Sequence, residues 1–89
     1  MNQIRFDRNI DNVLAQADAA GICVHCGWSM AIPRAKAVEY VKKYDTDPNS
    51  GFFEHEGNII LSHNGGKITF SQQEGSAVVE LIKAAYPEA

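Results

Sequence analysis

The chain has no hydrophobic run approaching the roughly 18 apolar residues that cross a bilayer, so no stretch of it reads as a transmembrane segment. Its first residues, Met1-Asn2-Gln3-Ile4-Arg5-Phe6-Asp7-Arg8, hold no apolar segment of signal-peptide type, and the expected compartment is the cytoplasm. Cysteine is scarce. Cys23 and Cys26 stand three positions apart and close no large loop, which argues against the disulfide scaffold of small secreted domains. Basic charge is short as well: 8 Lys and Arg against 11 Asp and Glu leave a net charge of −3. Such a chain lacks the basic face that supplies most nonspecific nucleic-acid affinity. No phosphate-binding glycine loop, hydrolase elbow or paired-carboxylate motif occurs. Neither an enzyme nor a cofactor is expected.

What is present suffices for one domain. With 89 residues, 45% of them apolar, the chain supports a single core over residues 1–89 and not a second. A domain of this size is stable by about 5–10 kcal/mol.

The most structured stretch is Phe52 to Tyr86. Phe52-Phe53-Glu54-His55, Ile59-Ile60-Leu61-Ser62-His63 and Lys67-Ile68-Thr69-Phe70 read as three antiparallel strands. Asn64-Gly65 between apolar runs is a strong hairpin signal, because both turn residues need positive φ. It sets Leu61 opposite Ile68 and Ile59 opposite Phe70. A three-residue loop, Glu56 to Asn58, would place Phe53, Ile59, Leu61, Ile68 and Phe70 on one apolar face. Ser71-Gln72-Gln73-Glu74 fits a capping box. Val78, Leu81, Ile82 and Ala85 follow at helical spacing, widened by Val79 and Tyr86, before Pro87 stops the helix.

Upstream, Ile10, Val13, Leu14 and Ala17 predict a first helix over Asn9–Ala20, capped by Asp7 or Asn9 and ended at Gly21. Ile22, Val24, Cys26 and Trp28 alternate with Cys23, His25 and Gly27, a strand pattern. Pro33 suits a first helical position, and Arg34 to Tyr44 follow as a helix burying Ala37, Val38, Val41 and Tyr44. Asp45 to Gly51 is a loop by composition. The expected fold is α+β in the order α-β-α-β-β-β-α: a three-stranded antiparallel meander packed against helices, four-stranded if Ile22–Trp28 joins it.

Three features carry candidate chemistry. Cys23-Val24-His25-Cys26-Gly27 resembles one knuckle of a zinc ribbon, where a tight turn brings two thiolates to one metal. The second knuckle is missing. His55 and His63 do not replace it, because in the predicted hairpin they lie roughly 13 Å apart at about 3.3 Å per residue. A redox role is weaker, since no helix begins beside the pair to lower a thiol pKa. Next, Asp45, Asp47, Asn49 and Glu56 occupy positions 1, 3, 5 and 12 of an EF-hand-like calcium loop. Ser50 stands where the sharp turn needs Gly, however, and a strand follows instead of a helix.

The third feature is apolar. Trp28 and Met30 form a short apolar segment ahead of a helix, read either as core or as the rim of a protein-binding patch. Phe52, Glu54 and Ile60 fall on the meander face away from the predicted core, a second surface open to a partner. The leading expectation is a non-catalytic, cytoplasmic protein-binding module of the inhibitor, immunity or accessory kind that mobile elements and phages encode. The partner would be another protein. The alternatives are a metal-binding module, through Cys23 and Cys26 or the Asp45 loop, and a winged-helix-like DNA binder. Net acidity and the long final helix weigh against the last.

Overall fold

The computed structural model describes residues 2–8, 12–44 and 51–89. The chain opens with strands. β1 (Asn2–Asp7), β2 (Asn12–Ala17), β3 (Gly21–His25) and β4 (Ser29–Pro33) form an antiparallel meander in that order. The helix predicted over Asn9–Ala20 is therefore corrected to a strand; residues 9–11 of it lie outside the described part. Val13, Ala15 and Ala17 are buried while Asn12, Leu14 and Gln16 point the other way, a period of two. The same residues also satisfy helical spacing through Val13, Leu14 and Ala17, and alanine fits either period. Pairing decides the matter: β1 supplies Ile4 and Phe6 beside Ala15 and Val13, a sheet face that a lone helix would leave uncovered.

β3 confirms the predicted strand up to His25, after which Cys26, Gly27 and Trp28 form a loop closed by a 2.8 Å bond from the Cys26 N–H to the Trp28 carbonyl. β4 went unpredicted because five residues ending in proline gave too short a pattern. Pro33 stands one place earlier than expected, as the extended residue (ψ 150°) before α1 (Arg34–Lys42). α1 buries Ala37, Val38 and Val41 as expected. Tyr44 follows the helix, with its ring 5.1 Å from that of Phe52.

The second half is a separate antiparallel meander: β5 (Phe52–His55), β6 (Asn58–His63) and β7 (Gly66–Phe70). Leu61 pairs with Ile68 and Ile59 with Phe70, as the Asn64-Gly65 turn requires. Both turn residues have positive φ, 51° and 83°. The first hairpin differs. Its turn is Glu56-Gly57, two residues with φ of 52° and 79°, so His55 pairs with Asn58 and Phe52 with Leu61. This one-residue shift exchanges the faces. Phe52 enters the core fully buried, whereas Phe53 lies opposite Ile60 on the other side, outside the main cluster. Holding a glutamate in the left-handed region costs about 1–2 kcal/mol, which burying the Phe52 ring against Tyr44 offsets.

α2 (Gln72–Ala85) begins in the predicted capping box and packs on β1, β2, β6 and β7, so it joins the two sheets. One continuous core results, drawn from the inner faces of both sheets and the apolar sides of both helices. Phe6 and Phe70 meet edge to face across the seam, 6.0 Å apart.

Candidate functional site

The β3–β4 loop and the β6–β7 turn come together at one end of the molecule. Trp28 caps the first. Gly66 opens β7 after the second, and a methyl placed on it would stand 3.1 Å from the Trp28 ring and 3.3 Å from the Met30 terminal carbon. The indole therefore rests on bare backbone. Trp28 is nonetheless 46% exposed, the one exposed large hydrophobic residue among those described. The two apolar residues of the segment part company. Met30 points inward at 5% exposure and anchors the loop, whereas Trp28 stays at the surface.

Beside the ring lies a cleft of about 230 Å³, walled by Ser29, Met30 and Ala31 on one side and by His63, Asn64 and Gly66 on the other. No carboxylate, lysine or arginine lines it. Its polar groups are a hydroxyl, an amide and an imidazole. The last is held through its Nδ1, 2.8 Å from the Tyr40 hydroxyl. Tyr40 in turn lies over Gly51, where a side chain would strike its ring. Two other surface hollows, about 290 Å³ near Gly21 and Cys23 and about 350 Å³ between β1 and α2, lack a comparable exposed ring.

The other candidate residues do not gather here. Phe52 is interior, so the second apolar surface loses its largest member. Glu54 is exposed on β5 opposite Ile59, and half-buried Ile60 faces Phe53. Cys23 is half-buried on the outer side of β3 between Gln16 and Ala31. Cys26 sits in the following loop, packed against the core margin, and both thiols are free. Glu56 is exposed in its turn, while Asp45, Asp47 and Asn49 lie outside the described residues. Among the described residues no three His, Cys, Asp or Glu side chains come together as metal ligands. No described helix is long and apolar enough to cross a membrane.

Sequence reading missed Ser29, His63, Asn64 and Gly66 as parts of a site. The Asn64-Gly65 signal located the turn, but nothing local says that Trp28 will lie on the residue after it. No protein-family model, curated protein or solved structure matches the chain.

Proposed function

We propose that this chain acts by binding another protein, with Trp28 as the anchor of the contact. The observation that carries the reading is the exposed indole, held against Gly66 beside a cleft free of charge. Leaving about half of such a ring in water forgoes part of the about 1.5–3 kcal/mol that full burial of a large apolar side chain supplies. Tryptophan is also among the residues most enriched where interface energy concentrates. Because packing already restrains the ring, docking on it orders little that was free. An inhibitor or accessory factor is one form such a protein takes.

The test is affinity capture with wild type and Trp28→Ser side by side. A specific partner should be retained by wild type and bind the variant about 100-fold more weakly, as for an interface hot spot. The variant should still melt cooperatively, with a stability loss of about 1 kcal/mol from the contacts with Gly66. Equal retention by both proteins sinks the reading.

A further inference from the structure

The outer face of the first sheet carries a line of polar contacts that binding does not use. His25 and Ser29 are directly opposed across β3 and β4. The Ser29 Oγ lies 2.8 Å from the His25 Nδ1. The other ring nitrogen, Nε2, lies 3.3 Å from the Gln16 Oε1. Gln16 uses its amide nitrogen on the Gln3 Oε1, at 3.4 Å, and this turns its carbonyl oxygen toward the ring. In the tautomer of His25 that carries its proton on Nε2, the Gln16 Oε1 accepts from the ring, as an amide oxygen does. The Nδ1 lone pair is then free to accept from the Ser29 hydroxyl. A hydroxyl donating to a neutral imidazole whose far N–H is held by an oxygen is the arrangement that activates a serine. Here the ring is used the other way round from Ser-His-Asp triads, with Nδ1 toward the serine. Ser29 also lines the cleft beside Trp28.

We propose that Ser29 is a nucleophile toward activated esters, with His25 as general base, Gln16 as the positioning residue and Trp28 as the surface for the ester's apolar half. The Ser29 Oγ adds to the ester carbonyl carbon while its proton passes to the His25 Nδ1. The adduct collapses, the bond to the leaving oxygen breaks, and that oxygen takes the proton from His25. Acyl-Ser29 and an alcohol result. Water then loses a proton to His25 as its oxygen attacks the acyl carbon; the bond to the Ser29 Oγ breaks, that oxygen takes the proton back from His25, and a carboxylic acid and the free serine result. Of the groups lining the cleft, the Asn64 amide can donate to the developing oxyanion. This inference shares Trp28 with the proposed protein contact but is argued from the Ser29, His25 and Gln16 contacts, so acetyl transfer and partner capture stand or fall separately; it departs from the expectation of a chain without chemistry.

The probe is p-nitrophenyl acetate with the intact chain, read by nitrophenolate release and by peptide mass spectrometry. One acetyl group should map to Ser29. Release should fall roughly 100-fold in Ser29→Ala and in His25→Gln, the low end of what general base catalysis contributes. Gln16→Glu should raise it several-fold, because a carboxylate is a stronger acceptor for the Nε2 proton; a merely structural contact would not respond this way. Melting temperatures of all three variants serve as the folding control; if Ser29→Ala or His25→Gln fails to fold the Gln16→Glu gain decides, and if Gln16→Glu fails to fold the acetyl mapping and the losses in the other two decide. Acetylation confined to lysines or other histidines, release unchanged in Ser29→Ala, or no gain in Gln16→Glu overturns the assignment.

Discussion

Gly75 shows how far a single position can depend on its neighbours. A glycine inside a helix usually costs about 1 kcal/mol relative to alanine, so Gly75→Ala would ordinarily stabilise α2. Here Gly75 is buried, and a methyl on it would stand 2.7 Å from the Ile59 Cβ and 2.8 Å from its Cγ2, with Cδ1 nearer still. Overpacking of that kind costs about 1–3 kcal/mol, and most of the opposition comes from a β-branched side chain fixed on β6. Gly75→Ala should therefore lower stability by about 1–2 kcal/mol in a urea melt. Gly75→Ala with Ile59→Val should recover part of the loss. No local rule foretells this, because the sign is set by a residue sixteen positions away. Trp28 is similar: its identity was legible, but its exposure depended on Gly66 lying beneath it.

At the scale of elements, α2 is where sequence and structure agree most fully. The Ser71 hydroxyl accepts from the Glu74 N–H at 3.1 Å, and the Glu74 carboxylate accepts from the Ser71 N–H at 2.9 Å. Every group in that box is within three residues, so its chemistry is readable from the chain. The structure adds Arg8, which donates to both Glu74 oxygens at 2.8 and 3.2 Å and to the Thr69 carbonyl at 3.0 Å. Partial burial opposes the charge on Glu74, but the hydrogen bonds from Ser71 and Arg8 outweigh it and hold the carboxyl below its usual range. A depressed carboxylate stabilises the fold fully above the unfolded pKa, and loses that contribution as pH falls through the folded one. Glu74→Gln keeps the capping geometry and removes the charge. It should cost about 1–2 kcal/mol at neutral pH, with the gap closing in acid, as denaturant melts across a pH series would show. Where element prediction failed, in β2, the responsible residues fit two periods at once, and the hairpin partner that selected one lies up to fifteen residues away.

The whole molecule is closed by its last residues. Tyr86 is 1% exposed, and its hydroxyl donates to the Asp18 carbonyl at 2.7 Å, tying the end of α2 to the β2–β3 turn. The Arg34 guanidinium lies 4.8 Å from the Tyr86 ring centre and pairs with Glu88 at 2.6 and 2.8 Å. That pairing draws the exposed Glu88 carboxyl down to about 2. The first sheet, the start of α1 and the end of α2 thus meet on one aromatic ring. Removing such a side chain costs about 3–5 kcal/mol, a large share of the 5–10 kcal/mol available to a domain of this size. Tyr86→Ala should lower the melting temperature by about 15–30 °C. Tyr86→Phe, which loses one hydrogen bond, should lower it by only about 5 °C. Comparable drops for the two would place the stabilisation in the hydroxyl rather than the ring.

The α+β class, the β6–β7 turn, both helices and the capping box were determined by the sequence alone, because each rests on contacts within a few residues. The tertiary structure decided the first hairpin of the chain, the face on which Phe52 and Phe53 fall, and the exposure of Trp28. A strand face, a one-residue shift and a solvent-facing ring are each settled by what lies on the other side. That partner comes from a distant part of the chain.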